Sequence, residues 1–249
     1  MKKNKKVLLL GGTGKLGLSI IKSKIFKNIV SPSKNNLNIL NTKSIDKILR
    51  NKNFDLIINC AAMARMTECE KNASRAIEVN INGTANLVNK ISNYRNKNLR
   101  FIHISTDAVY PSVKGNYSEN SQLGPRNVYG WTKLASEYLV KTLKNYVIIR
   151  TRFFDKKNIR FSKSAVDIFT SSIEVSELIK EIKFLAYSKF VGTINVGSER
   201  KSDFANYKKF KKNLKPCNRR DVMKNLNFNI AKDASMNLGL LNKLKEINE

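Results

Sequence analysis

The chain has 249 residues, 41% of them hydrophobic, which is enough for a packed core and excludes a disordered chain. Its formal net charge is +28, but the 47 Lys and Arg residues are spread along the whole length, without an aromatic-interleaved basic stripe. We therefore expect no specific nucleic-acid partner. No apolar run is long enough to span a membrane, so we expect no membrane as a partner.

The N-terminal residues and the cysteines indicate the cellular compartment. The basic start is followed by only the apolar residues 7–10, too few for a signal peptide. Cys60, Cys69 and Cys217 are odd in number and lack metal-ligand spacing, so they predict reduced thiols and no metal site. A cytoplasmic protein is expected.

The first element is the short apolar run of residues 7–10, which ends directly in glycines. This pattern predicts a buried parallel strand that enters a tight turn. The turn Gly11-Gly-Thr-Gly14-Lys-Leu-Gly17 has the spacing Gly-x-x-Gly-x-x-Gly, and a helix should begin at about Lys15. Such glycines allow a pyrophosphate to approach the helix N-terminus. The alternative is a strand-to-helix turn that binds no ligand.

Strand and helix patterns then alternate. We predict strands at 28–31, 54–58, 100–105 and 146–149, and helices at 44–50, 73–92 and 128–143. Repeated strand-helix units predict an α/β fold with a doubly wound parallel sheet of the Rossmann type, whose ligands lie at the carboxyl ends of the strands. Residues 11–17, 59–62 and 105–107 all fall at such ends.

The pattern is looser after residue 150. Helices are predicted at 175–187 and 203–213 and a strand at 193–196, within Lys- and Ser-rich sequence. We therefore predict two parts. Residues 1–150 form a Rossmann-type domain, and residues 151–249 form a small C-terminal lobe that is interleaved with the sheet.

One helix pairs a phenol with a cation. Tyr129 and Lys133 are four residues apart, so they share one helix face, where the ammonium is expected to lower the pKa of the phenol. A solvated helix face would give the same spacing. The single histidine, His103, lies in an alternating strand pattern, for which a core or packing role is expected rather than catalysis.

Four motifs occur in order: the glycine turn, Asn59-Cys-Ala-Ala62, Ser105-Thr-Asp-Ala-Val-Tyr110 and Tyr129-Gly-Trp-Thr-Lys133. With them, the chain from about residue 6 to residue 151 resembles the extended short-chain dehydrogenase/reductases. The resemblance is to dTDP-4-dehydrorhamnose reductases and related sugar-nucleotide reductases. The segment Val79-Asn80-Ile-Asn-Gly-Thr84 is similar to a further motif of that family.

The resemblance implies that residues 1–150 bind the dinucleotide and carry the catalytic residues, and that residues 151–249 are a shortened substrate-binding lobe. It implies catalytic roles for Thr106, Tyr129 and Lys133. Thr106 would hydrogen-bond the substrate carbonyl, Tyr129 would protonate the developing alkoxide, and Lys133 would hold the nicotinamide ribose. For Thr106 the alternative is a capping hydroxyl at a strand end, and for Asn80 a structural role is equally open. The residues expected to contact the cofactor are Gly11, Gly14, Lys15, Leu16, Gly17, Ser31, Lys34, Ala61, Ala62, Asn80, Tyr129 and Lys133.

The polar residues near the second strand bear on the cofactor. No Asp or Glu precedes Asp46, so nothing acidic is placed to take the ribose 2′-hydroxyl of NAD. Ser31 and Lys34 could receive a 2′-phosphate instead, which favours NADPH, with NADH possible. Arg126 and Arg152 are candidates, by position, for the pyrophosphate of a nucleotide-sugar substrate.

The resemblance implies an NADPH-dependent reductase of a 4-keto-6-deoxy nucleotide sugar in surface-polysaccharide synthesis, for which a homodimer is one expected assembly. Two alternatives stay open. One is a non-catalytic, cofactor-binding regulatory subunit, against which the intact Thr106, Tyr129 and Lys133 set argues. The other is a nucleotide-sugar epimerase or dehydratase. A dehydratase commonly has an acidic pair after the catalytic Thr, whereas Asp107 is followed here by Ala108.

Overall fold

The computed structural model describes residues 4–224, 226 and 228–247. Its main sheet has six parallel strands in the order β10-β5-β4-β3-β1-β2. The strands are β1 (Lys6–Leu10), β2 (Asn28–Val30), β3 (Leu56–Asn59), β4 (Arg100–Ile104), β5 (Tyr146–Thr151), β6 (Phe153–Phe154), β7 (Lys163–Ala165), β8 (Phe169–Thr170), β9 (Ile173–Glu174), β10 (Gly192–Val196), β11 (Lys201–Ser202) and β12 (Lys215–Cys217). The doubly wound Rossmann-type fold predicted from the sequence is confirmed.

Helices connect the strands. They are α1 (Lys15–Ser23), α2 (Thr42–Asn51), α3 (Met66–Lys71), α4 (Ala73–Ile77), α5 (Gly83–Ser92), α6 (Val128–Val140), α7 (Val175–Tyr187), α8 (Asp203–Lys208), α9 (Arg219–Met223) and α10 (Gly239–Glu246). A π-helical turn (Glu78–Asn82) joins α4 to α5, and a 3₁₀ turn (Asp107–Val109) follows β4. No helix among the described residues is long and apolar enough to cross a membrane.

The core has two layers, one on each face of the sheet. Successive residues of a strand point to opposite faces, so Val7 and Leu9 pack towards α1, α7 and α10, whereas Leu8 and Leu10 pack towards α2, α5 and α6. Each of these strand residues is at most 2% exposed. This double burial explains why β1 is an uninterrupted apolar run.

The order of the strands in the sheet determines where a ligand crevice can form. From β1 the chain adds β2 on one side and then crosses to β3 on the other, so the connections that follow β1 and β3 diverge at the carboxyl ends of these strands. Ligands bind at this kind of switch point in open α/β sheets. The glycine turn and residues 60–62 both lie there.

Several element boundaries differ from the predictions. The helix predicted at 73–92 contains the π turn, the helix predicted at 203–213 ends at residue 208, and the short helices α3, α9 and α10 were not predicted. Residues 192–196 pair with β5 in the main sheet. The smaller sheets β11-β8, β12-β7 and β6-β9 lie beyond residue 152. The division into parts at residue 150 stays a prediction.

Candidate active site

The glycine turn is closely packed against the loop that follows β3. A Cβ on Gly11 would lie 2.7 Å from the Ala61 nitrogen, and one on Gly17 would lie 2.3 Å from the Gly11 oxygen. Gly11 also has a φ of +76°, which side-chain-bearing residues rarely adopt. The Gly14 N–H donates to the Gly11 carbonyl at 3.0 Å, which closes the turn. The turn therefore presents bare backbone at the N-terminus of α1, the geometry that fits a pyrophosphate.

A cavity of about 260 Å³ lies beside this turn. It brings together the predicted Gly11, Gly14, Lys34, Ala61 and Ala62. The complete lining is Leu10, Gly11, Gly12, Thr13, Gly14, Pro32, Lys34, Leu37, Asn38, Ile39, Leu40, Cys60, Ala61, Ala62, Arg75 and Val79. A mostly apolar cleft with two cationic side chains, Lys34 and Arg75, suits a dinucleotide.

Arg75 is a cavity residue that sequence reasoning missed. It projects from α4, and its guanidinium also pairs with Glu78. No motif contains it, and an arginine in an amphipathic helix ordinarily faces solvent, so the sequence held no signal for it. Its position adds a second cation to Lys34 in this cavity.

Seven residues predicted to contact a cofactor do not line the cavity, namely Lys15, Leu16, Gly17, Ser31, Asn80, Tyr129 and Lys133. Leu16 is packed in the core, so only its backbone could face a phosphate. Lys15 is exposed on the first turn of α1. The Ser31 hydroxyl donates to the Leu9 carbonyl at 3.2 Å, so its proton is already used within the protein. Lys34 and Arg75 are therefore the better-placed groups for a 2′-phosphate.

Asn80 connects the loop that follows β3 to α6. It is buried within the π turn, and its Nδ2 donates to Thr132 Oγ1 at 2.9 Å and to the Met63 carbonyl at 3.0 Å. Its Oδ1 accepts from the Met63 N–H at 2.8 Å. These contacts use the whole amide, and Asn80 is not among the residues that line the cavity. They support the structural role that the sequence left open.

Thr106 and Tyr129 meet where β4 ends and α6 begins. The Thr106 hydroxyl accepts from the Ala108 N–H at 3.1 Å, so it caps the 3₁₀ turn, and it donates to the Asp107 carboxylate at 3.1 Å. The Tyr129 phenol lies beside this hydroxyl. A Cβ at Gly130 would lie 2.4 Å from the Ala108 carbonyl oxygen. Only glycine allows α6 to approach this turn so closely, which explains the residue after the tyrosine.

The electrostatics of Tyr129 differ from the sequence prediction. Burial raises the pKa of the phenol, Asp107 and Cys69 raise it further, and Thr106 and Arg152 oppose the rise. Lys133 is not among the groups that lower it, and its Nζ lies 3.0 Å from His103 Nε2. The expected lowering of the Tyr129 pKa by Lys133 is therefore wrong for this arrangement.

Lys133 and His103 form a buried pair between α6 and β4. Lys133 is 2% exposed, and burial lowers its pKa to about 8, although Glu137 and Cys60 oppose the shift. His103 is fully buried, and burial together with Lys133 holds its pKa well below the usual range. His103 is thus a core residue, as expected, but its polar contact with Lys133 was not foreseen.

A second cavity, of about 220 Å³, brings Arg126 and Arg152 together. The Arg152 Nε lies 2.8 Å from the buried Asp107 carboxylate, so most of its charge is compensated within the protein. Arg126 is exposed, and its Nη1 makes a long 3.5 Å contact to the Pro111 carbonyl. The full lining is Met66, Ala108, Ser112, Arg126, Asn127, Arg152, Ile168, Asp203, Val222, Asn229, Ile230 and Ala231.

Comparison with known proteins identifies relatives. The model of the RmlD substrate binding domain family matches residues 5–176. The spore coat polysaccharide biosynthesis protein SpsK of Bacillus subtilis is 31% identical over 151 residues, 59% of this chain and 52% of that protein. The dTDP-4-keto-6-deoxy-D-glucose reductase of Streptomyces niveus is 30% identical over 149 residues, 58% and 51% of the two chains.

A third relative has a different description. The methionine adenosyltransferase 2 subunit beta of Bos taurus is 26% identical over 185 residues, 70% of this chain and 54% of that protein. In each of these three comparisons the matched region spans about half of the relative's length.

Solved structures share the fold. The dTDP-4-dehydrorhamnose reductase of Bacillus anthracis, solved in complex with NADP, superposes with a TM-score of 0.82 at 22% identity. The alignment covers 98% of this chain and 92% of that one.

Proposed function

Because the chain belongs to the RmlD substrate binding domain family, we propose that it is an NADPH-dependent reductase of a 4-keto-6-deoxy nucleotide sugar. The observation that carries the proposal is that the Tyr129 phenol lies beside the Thr106 hydroxyl at the carboxyl end of β4. It lies on the same edge of the sheet as the glycine turn. The substrate class is further supported by the Streptomyces niveus reductase.

The chain's residues fit the cofactor. The backbone of Gly11, Gly14 and Gly17 would hold the pyrophosphate, because any Cβ at Gly11 or Gly17 would enter the space that the turn needs. Lys34 and Arg75 would meet the 2′-phosphate from the wall of the same cavity. When bound, the reduced nicotinamide supplies the hydride.

Tyr129 and Thr106 act on the substrate oxygen. The Thr106 hydroxyl orients the carbonyl by a hydrogen bond, and the Tyr129 phenol gives its proton to the oxygen as negative charge develops. Burial raises the pKa of Tyr129, which keeps it protonated and able to donate. Lys133 lies one turn after Tyr129 on α6 and would bind ribose hydroxyls.

The second cavity is the proposed nucleotide-sugar site. Arg126 would contact the pyrophosphate, and Arg152 would orient Asp107 beside the catalytic pair. We place this activity in surface-polysaccharide synthesis, which the name of the Bacillus subtilis relative supports. A cytoplasmic setting is proposed because all three cysteines are free thiols.

The test is a turnover assay. The purified protein is mixed with NADPH and a panel of 4-keto-6-deoxy nucleotide sugars, and the absorbance of the reduced cofactor is followed. Tyr129→Phe is the matched control, since it keeps the ring and removes the proton donor. We expect it to reduce kcat by about 10²–10⁴-fold, the usual worth of positioned acid catalysis, with the cofactor Kd nearly unchanged.

Other results would point elsewhere. Cofactor binding without turnover of any sugar would favour the regulatory-subunit alternative, which the methionine adenosyltransferase relative keeps open. Conversion of a sugar without net cofactor oxidation would favour an epimerase or dehydratase. Full turnover by Tyr129→Phe would remove Tyr129 from its proposed role.

A further inference from the structure

His103 lies in a fully buried polar cluster between β4 and α6. The Asn59 Nδ2 is 3.2 Å from its Nδ1, and its Nε2 is 3.0 Å from both the Ser136 Oγ and the Lys133 Nζ. One ring nitrogen with two neighbours cannot donate to one and accept from the other. The hydrogen-bond pattern around it decides which it does.

The orientation of Asn59 determines the state of Nδ1. The Ala61 N–H donates to the Asn59 Oδ1 at 3.1 Å, so the oxygen of this amide is fixed and its Nδ2 faces the imidazole. An amide nitrogen is only a donor, so the His103 Nδ1 must accept. A neutral imidazole then carries its proton on Nε2.

Ser136 determines where that proton points. Its hydroxyl donates to the Lys133 carbonyl at 2.7 Å, which leaves the Ser136 oxygen to accept from the His103 Nε2–H. The Lys133 Nζ faces the same N–H group. Within the described part of the chain, no hydrogen bond joins this Nζ to any other atom. An ammonium group there has three donors and no acceptor.

The other charged groups near Lys133 do not supply an acceptor. Glu137 lies on the next turn of α6, but its carboxylate binds the Arg150 guanidinium at 2.7 Å. Cys60 approaches from the end of β3, and burial keeps its thiol protonated by raising its pKa to about 12. Tyr129 lies on the preceding turn, and burial raises the pKa of its phenol, so it stays protonated.

We propose that His103 is a positioning residue which, held as the Nε2–H tautomer, denies the Lys133 ammonium an acceptor, so that oxygen atoms brought by a bound cofactor favour the protonated form of Lys133. This inference rests on the proposed function only for the identity of the cofactor. Its consequence is that cofactor binding and proton uptake by Lys133 are coupled.

The sign of the pH dependence follows. Lys133 has a pKa of about 8 in the protein alone, and ribose hydroxyls that accept from its ammonium raise that pKa. The stabilisation of the complex is therefore fully present below pH 8 and is lost as pH rises through the pKa of the bound state. Between pH 8 and the pKa of the bound state, binding of the cofactor is accompanied by proton uptake, which approaches one proton per complex when the two pKa values are well separated.

The tautomer can be measured directly, because His103 is the one histidine in the sequence. Nitrogen-15 NMR of the protein without cofactor, labelled at histidine, reports the two ring nitrogens separately. We expect a protonated Nε2 and an unprotonated Nδ1 across neutral pH. An Nδ1–H tautomer, or an imidazolium at pH 7, would overturn the proposal.

Proton uptake is tested by calorimetric titration with NADPH at about pH 9, in buffers that differ in ionisation enthalpy. His103→Gln can turn an amide oxygen towards the Lys133 Nζ and its amide nitrogen towards Ser136, so this variant should take up little proton and bind more weakly. His103→Phe offers no acceptor and should retain the uptake of the unmodified protein. Lys133→Met should show none.

The outcomes separate the two proposals. Negligible uptake in the unmodified protein, or equal uptake in His103→Gln and His103→Phe, would contradict the role of His103. Neither measurement uses a sugar, so failure of every 4-keto sugar to react would count against the proposed activity and leave the histidine results standing. The NMR result decides the tautomer even if NADPH does not bind.

Discussion

The Arg150–Glu137 pair gives the sharpest stability prediction. Both side chains are 1% exposed, and the Arg150 Nη2 and Nε lie 2.7 and 3.1 Å from the Glu137 carboxylate. Glu137→Gln removes the counter-charge and turns an amide N–H₂ towards the guanidinium. Breaking a buried pair in this way costs about 3–5 kcal/mol. For a chain of this length, the corresponding fall in Tm is roughly 6–20 °C.

The assay is urea unfolding followed by circular dichroism, together with thermal melting. Glu177→Gln is the matched control, because its partner Lys180 is 66% exposed and such surface pairs contribute less than about 1 kcal/mol. The double variant Glu137→Leu/Arg150→Met should recover much of the loss, since apolar replacement of a whole buried pair is often neutral. A free energy of unfolding for Glu137→Gln within 1 kcal/mol of the control value would refute the reasoning.

Three further predictions concern ligand binding. Lys34→Glu should erase or reverse a preference for NADPH over NADH, because it puts a carboxylate where a 2′-phosphate would lie; equal Kd values for both cofactors in the unmodified protein would remove this basis. Gly17→Ala should cost about 1–3 kcal/mol of stability and weaken cofactor binding, since its Cβ would lie 2.3 Å from the Gly11 oxygen; unfolding and titration curves that match the unmodified protein would contradict this. Arg126→Gln should raise KM with little change in kcat, whereas Arg152→Gln should lower kcat as well, because it also leaves a buried carboxylate unpaired; steady-state kinetics that show the same pattern for both variants would oppose the assigned difference.

Much of the fold could be read from the sequence because its determinants are local. A strand buried on both faces must be apolar throughout, and β1 is. The turn after it must lack side chains, and the spacing of Gly11, Gly14 and Gly17 shows this directly. The π turn at 78–82 was not predictable, because it arises where the Asn80 side chain binds residues 17 and 52 positions away.

The sequence by itself determined which functional groups follow which elements. A glycine turn follows the first strand, a hydroxyl follows the fourth strand, and a tyrosine and a lysine share one helix face. Periodicity and fixed helix geometry are sufficient for that. Tertiary structure alone decided which charges meet. Arg75 lines the cavity beside the glycine turn, and Asp107 forms an ion pair with Arg152. His103 contacts Lys133, which is 30 residues further along the chain. Such contacts depend on how elements pack, and burial there changes the pKa values of groups whose partners no local pattern specifies.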